Sequence, residues 1–310
     1  MLLDEIETRS PSYSEMLRVA RRVAGTDANV LLTGETGTGK DFVAGLIHDA
    51  SERRLRPLIK IDCASIPASL AESEFFGFEK GAFSDATEPK AGKLQMAQQG
   101  TIYLDGINHL SGSVQSKLLR FVQERVVEPL GSSRVYTVDC RIIASCSLPL
   151  GICLHEKQIR EDLYYRLASV HIELPPLRDR ILDLDLLIPA LLREFNEKYK
   201  KEASLAAAAM SFLVNYRWPG NIRELRNVIE HAVIYAGADI GPADLALRSS
   251  VFHEESLSFL AERDLSLEEL EKLYIAEVLR KVKGHQGKAA RILKINRKTL
   301  LLKKRKYGIE

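Results

Sequence analysis

The chain has 310 residues, 44 basic and 42 acidic side chains, a formal net charge of +2 and 45% hydrophobic residues. That length accommodates two or three domains, and the composition is that of a globular protein rather than a disordered or fibrous one. No apolar run reaches the roughly 18 residues of a membrane span, and the N-terminal stretch lacks a signal-peptide core, so no membrane partner and a cytoplasmic location are expected.

In chain order, ANVLLTG (28–34), PLIKIDCA (57–64), GTIYLD (100–105) and DCRIIASC (139–146) read as short strands. Helical patterns such as KDFVAGLIHDASERR (40–54) and SGSVQSKLLRFVQER (111–125) lie between them. This alternation predicts an α/β core, a parallel sheet with helices on both faces. From PPLRDR (175–180) to about 247 the pattern is helical only, with LDLLIPALLREFNEKY and NIRELRNVIEHAVIYA as its main helices. Residues 249–266 show no strong period and read as a linker. The remainder reads as two or three helices broken at Gly284 and near Asn296. Cys63, Cys140, Cys146 and Cys153 form no metal-type spacing and are expected as buried or strand-edge thiols.

Charge is unevenly distributed. Residues 280–310 carry twelve basic side chains and one acid, which leaves 32 basic against 41 acidic side chains in residues 1–279. A polyanion partner is therefore expected for the tail alone. Within it, KAARILKINRKTLLLKKRKYGI (288–309) has the spacing of a helix-turn-helix. Ala289 and Ala290 allow a close helix crossing, and Ile292, Leu293, Ile295 and Leu300 are expected in its core. Arg297, Lys298, Thr299, Lys303 and Lys304 then lie along the second helix as candidate DNA contacts. A merely solvated basic helix is the plain alternative.

GETGTGK, running Gly34-Glu35-Thr36-Gly37-Thr38-Gly39-Lys40, follows a strand and opens a helix, the context of a phosphate-binding loop. Its glycines let backbone N–H groups turn inward around an anion, and the helix N-terminus adds its positive dipole end. Lys40 is placed to reach the β- and γ-phosphates of ATP. Asp41 stands where Ser or Thr touches magnesium in the generic motif, so the ligand for Mg²⁺ has to come mainly from elsewhere. Asp105 is the candidate: a buried strand-end carboxylate is costly unless a cation meets it. The alternative is an Asp that caps the following turn.

Together these residues resemble the central AAA+ domain and C-terminal DNA-binding domain of bacterial enhancer-binding proteins, the activators of sigma-54 RNA polymerase. The resemblance runs from about residue 8 to 309 and rests on GETGTGKD, ESEFFGFEKGAFSDA (72–86), GTIYLDGI, IREDLYYRL (159–167), LPPLRDR and WPGNIREL (218–225). It implies an AAA+ core over 1–173, a helical lid over 174–247, a linker over 248–264 and a Fis-type helix-turn-helix domain over 265–310. It also implies a subunit ring, usually hexameric, with ATP between subunits, and DNA-binding dimers on enhancer-like sites. Arg160 and Arg166 match arginine fingers that reach a neighbour's nucleotide, and Arg223 matches the lid arginine that senses the γ-phosphate. Gly81, Ala82, Phe83, Ser84, Asp85 and Ala86 match the loop that contacts sigma-54.

Four motifs depart from the family. Gly106 replaces the acid that polarises the attacking water, so ATP binding with weak hydrolysis is expected. Asp62 replaces the Asn that restrains that acid; it either partly replaces the missing base through a water or is a polar strand-end residue. Cys146-Ser147 replaces Thr-Asn at the sensor position. Finally, Ser84 and Asp85 replace Thr and Gly in the contact loop, so sigma-54 engagement is expected to weaken. No receiver domain is expected ahead of the core in this sequence, and control is expected from expression level, a regulatory protein in trans or a domain outside this sequence. The reading is a sigma-54-type regulator; the alternative is a sigma-54-independent DNA-binding regulator that uses ATP only for assembly.

Overall fold

The computed structural model describes residue 3, residues 6–83, 86–245 and 285–307, and Glu269, Glu271, Lys272, Tyr274, Ile275, Val278 and Leu279. The expected linker at 249–266 lies outside the described residues. The chain divides into two compact units, Met1–Ala246 and Leu247–Glu310.

The first unit is built on a five-stranded, all-parallel sheet. Its strands are β1 (Val30–Thr33), β2 (Leu58–Asp62), β3 (Thr101–Asp105), β4 (Arg141–Cys146) and β5 (Val170–Glu173), in the spatial order β2-β3-β4-β1-β5. β1 and β4 are buried along their whole length, which explains their nearly continuous apolar sequence. Successive side chains serve opposite faces. Leu31, Ile102, Leu104, Ile142 and Ala144 join one core, with residues of the helices Ala68–Phe76, Gly112–Glu124 and Glu161–Leu167. Val30, Leu32, Tyr103 and Ile143 join the other, with the helices α1 (Pro11–Ala24) and α2 (Lys40–Asp49). Arg141, buried at the start of β4, donates to the carbonyls of Val23 and Ala24 at 2.8 and 3.0 Å and so satisfies the C-terminal end of α1.

The register pairs Asp62 with Asp105, so the ends of β2 and β3 stand level. β5 was not foreseen from the sequence: Val-His-Ile-Glu is a four-residue edge strand with only Ile172 buried.

The lid comprises α3 (Leu184–Tyr199), α4 (Ala207–Asn215) and α5 (Asn221–Tyr235). Beside these helices, Ser204–Leu205 and Asp239–Ile240 form a two-residue parallel ladder that ties the connection between α3 and α4 to the chain after α5. In the second unit α6 (Gln286–Ile292) and α7 (Arg297–Tyr307) pack Ala289, Ala290 and Leu300 against Ile275, Val278 and Leu279. Leu293 and Ile295 are partly buried against this core. Ile292 is a correction: it is 46% exposed, because the last turn of α6 rotates it away from the crossing at Ala289 and Ala290. All four cysteines are buried free thiols, with the Cys146 and Cys153 sulfurs 3.1 Å apart.

Candidate functional site

The carboxyl ends of β1 and β3 open onto a cleft of about 240 Å³ beside the Gly34–Lys40 loop. The loop takes its shape from glycines at φ +143° (Gly34), +82° (Gly37) and +98° (Gly39), values that L side chains rarely adopt. At Gly37 a Cβ would also lie 2.4 Å from the lid carbonyl of Gly220, so the close approach of loop and lid demands glycine twice over. Among the described residues, the amides of Gly37, Gly39 and Lys40 donate to no backbone carbonyl, which leaves them for an anion. The Lys40 ammonium donates to the Gly34 and Glu35 carbonyls at 2.7 and 3.0 Å. Burial pushes its pKa down, opposed by the charge of the nearby Asp105 carboxylate.

Asp105 is met by two hydroxyls of its own chain. Ser145 on β4 donates to Oδ1 at 2.5 Å and Tyr103 donates to the same oxygen at 3.2 Å, while the Ser145 oxygen accepts the Gly106 amide at 3.0 Å. Oδ2 has no protein donor among the described residues and remains for a cation. No cluster of three or more His, Cys, Asp or Glu that could hold a metal occurs among those residues. This donor set fits magnesium, which takes one or two carboxylates and completes its shell with phosphate and water oxygens.

Gly106 sits in the left-handed region at φ 75°, ψ 53°. Asp62, on the adjacent strand end, spends its carboxylate locally. Its oxygens accept the Ala64 amide at 3.1 Å, the Ser65 amide at 3.3 Å and the Ser65 hydroxyl. The Ser65 hydroxyl is the main cause that holds this carboxyl below the usual range. Asp62 is therefore a polar strand-end residue that organises its own turn.

The lid grips the loop through residues whose reach is not visible in the sequence. Buried Asn221 donates to Glu35 Oε2 at 3.0 Å and to the Thr36 carbonyl at 3.1 Å, and accepts the Leu177 amide at 2.8 Å. Arg178 forks onto Glu35 at 2.5 and 2.9 Å, which is the main cause that lowers the Glu35 pKa. Arg180, also buried, stacks 4.2 Å over Tyr13 and donates to the Thr38 carbonyl at 3.3 Å. A second, largely apolar hollow of about 960 Å³ continues from the cleft past Phe42, Arg180 and Ile222, and Arg223 borders both.

Residues 6–173 match the family described as Sigma-54 interaction domain, 178–256 the AAA+ ATPase lid domain, and 266–307 the Bacterial regulatory protein, Fis family. The chain belongs to the sigma-54 activator family. It is 41% identical to Regulatory protein AtoC of Escherichia coli K12 over 98% of its own length and 68% of AtoC. To AlgB, the alginate biosynthesis transcriptional regulatory protein of Pseudomonas aeruginosa, it is 40% identical over 99% of the chain and 68% of AlgB. Among solved structures, NtrX of Brucella abortus in complex with ATP superposes with a TM-score of 0.74 at 29% identity, covering 98% of this chain and 69% of NtrX.

Within the first unit of this sigma-54 activator, the candidate arginine fingers lie apart from the cleft. Arg160 and Arg166 are exposed and line neither hollow of their own chain; the Arg160 guanidinium pairs with Asp162 at 2.8 Å. In the contact loop, Phe83 is 43% exposed and packs edge-on against Phe78 at 4.8 Å, and Ala86 is buried. The Gly81 amide closes the loop base on the Ala86 carbonyl at 2.8 Å. Ser84 and Asp85, which carry the departure from the family pattern, lie outside the described residues. In the helix-turn-helix, Asn296 caps α7 by accepting the Thr299 amide at 2.7 Å and its hydroxyl at 2.9 Å. Arg297 and Lys298 are exposed on the first turn, whereas the Lys303 ammonium pairs with Glu271 at 2.5 Å. No helix among the described residues is long and apolar enough to cross a membrane.

Proposed function

We propose that this chain is a sigma-54-type transcriptional regulator that binds ATP in the cleft between the Gly34–Lys40 loop and Asp105, and binds DNA through α7. The observation that carries the reading is the convergence of unbonded loop amides, Lys40, Asp105 and Arg223 on one cleft beside an apolar hollow of a size for a purine base. In this reading Gly34, Glu35, Thr36, Gly37, Thr38, Gly39 and Lys40 cradle the phosphates, Asp41 opens the helix behind them, and Arg223 contacts the γ-phosphate from the lid. Asp105 holds Mg²⁺, which when bound neutralises phosphate charge. Arg160 and Arg166 act on a neighbouring subunit's cleft in a ring, which we take as hexameric.

The segments divide as core 1–173, lid 174–247, linker 248–264 and DNA-binding domain 265–310. Arg297, Lys298, Thr299 and Lys304 face DNA as dimers, and Lys303 joins them only on release from Glu271. Gly81–Ala86 is the sigma-54 loop. The protein works in the cytoplasm.

A second reading, in which ATP supports assembly without sigma-54, draws on Gly106 and on Ser84-Asp85. One preparation tests both. The wild-type chain is expected to bind ATP and ADP, Lys40→Ala to lose that affinity, and ATP to permit transcription by the sigma-54 holoenzyme from a promoter bearing the chain's own binding site. Nucleotide and DNA binding without any such transcription favours the second reading, and a Lys40→Ala chain that binds nucleotide as the wild type does refutes the site.

A further inference from the structure

Gly106 leaves a gap in the cleft wall, and one side chain stands over it. A Cβ on Gly106 would meet His109 Cδ2 at 2.9 Å and Nε2 at 3.7 Å, so the imidazole occupies the volume that a side chain at 106 would enter. Local structure imposes this placement. The positive φ of Gly106 starts a single helical turn over Ile107–His109, and the His109 amide returns to the Gly106 carbonyl at 3.0 Å, which folds the ring back over the end of β3. The ring is exposed to the cleft, and among the described residues neither of its nitrogens is engaged by a protein hydrogen-bond partner.

Four other charged groups of the cleft are committed. Asp62 is bonded within its own turn, Asp105 is held by Ser145 and Tyr103 and faces the cation position, the Lys40 ammonium donates to the Gly34 and Glu35 carbonyls, and the Arg223 guanidinium offers donors only. We propose that His109 is the group that accepts the proton of the water attacking a nucleotide bound in this cleft. The proposal rests on the nucleotide-site reading above. As the water oxygen bonds to the γ-phosphorus, the bond from that phosphorus to the β–γ bridging oxygen breaks and the water proton passes to a ring nitrogen of His109. ADP and phosphate leave, and the imidazolium returns its proton to solvent through the open cleft. The charged groups that line the cleft around the ring are Lys40 and Asp41 on α2, Asp62 on β2, Asp105 on β3 and Arg223 on α5.

The test uses the full chain as wild type, His109→Ala and His109→Gln, assayed between about pH 5 and 8, where imidazoles titrate. Phosphate release and the affinities for ADP and ATPγS are measured on each. Both variants are expected to lose about 10²-fold or more in phosphate release with ADP affinity unchanged. The wild-type rate falls on acidification as the ring is protonated, and that acid limb disappears in both variants. Independently of turnover, a protonated ring attracts the terminal thiophosphate, so wild-type affinity for ATPγS rises relative to ADP on acidification and does not in His109→Ala. Gln keeps a hydrogen bond for the water but accepts no proton, so a His109→Gln rate equal to wild type overturns the assignment. So does an acid limb or an ATPγS–ADP difference that survives in His109→Ala, or a wild-type chain that binds ATPγS and releases no phosphate at any pH. Failure of the wild type to bind either nucleotide refutes the site itself, a result distinct from these.

Discussion

Gly106 shows how a missing side chain and a strained backbone reinforce each other. From sequence alone, restoring the acid with Gly106→Glu is expected to raise the hydrolysis rate. The geometry adds two obstacles, a left-handed backbone that costs an L residue about 1–2 kcal/mol and an imidazole already in the way. Gly106→Ala isolates them: stability falls by about 1–2 kcal/mol, and Tm by about 2–4 °C for each kcal/mol in a domain of this size. Repeating the substitution on His109→Ala removes the ring contact and leaves the backbone term. If Gly106→Ala is as stable as wild type by thermal denaturation, the left-handed conformation is not enforced. Gly106→Glu alone is accordingly expected to give no gain in phosphate release, and any gain should need the space freed by His109→Ala. The absent acid was legible in GTIYLDGINHL; the ring above it was not, because a turn's direction depends on φ values that residue types only suggest.

At the scale of elements, the sequence pattern was most informative where periodicity was long and least where contacts cross the chain. LDLLIPALLREFNEKY coincides with the observed helix Leu184–Tyr199, since a sixteen-residue apolar stripe has few other ways to be buried. The edge strand Val170–Glu173 was missed because two of its four side chains face solvent and leave no apolar run. Asn221 stood in the quoted WPGNIREL, yet nothing in that motif announces a side chain reaching Glu35 and Thr36 while its backbone sits at φ 52°. Removing it orphans the Leu177 amide and releases the loop from the lid. Asn221→Ala is expected to destabilise the first unit by about 2–4 kcal/mol, from an unsatisfied buried donor at about 1–3 kcal/mol and a disfavoured backbone at about 1 kcal/mol. Asn221→Gly keeps the backbone and loses only the hydrogen bonds, so its Tm should fall between those of Asn221→Ala and wild type. Equal Tm values for the two variants would show that the φ at this position relaxes freely.

At the scale of the whole molecule, the ring proposed above completes the nucleotide site between subunits. Lys40, Asp105 and Arg223 share a cleft, whereas Arg160 and Arg166 point to solvent away from it, so any action of theirs on nucleotide has to occur in another copy. Arg160 is not free to do so at once, because Asp162 holds it. Both partners are nearly half exposed, however, and solvent screening leaves an ion pair of that kind weak. A neighbour's polyphosphate, carrying several charges and fit for bidentate contact, outbids a single carboxylate at that level. Arg160→Ala and Arg166→Ala should therefore each suppress hydrolysis while nucleotide affinity of the isolated subunit is retained. Lys40→Ala suppresses it differently, by removing binding in its own cleft and leaving its arginines intact. In an equal mixture of Arg160→Ala and Lys40→Ala subunits assembled at random, about a quarter of the interfaces join an intact cleft to an intact arginine in a ring of heterologous contacts. Phosphate release should recover toward about that fraction of the wild-type rate, and the recovery should follow the product of the two mole fractions. Arginines that act within their own chain give no recovery at any ratio. Absence of recovery in a mixture shown by sedimentation to contain joint assemblies would rule out action of Arg160 on a neighbour's cleft.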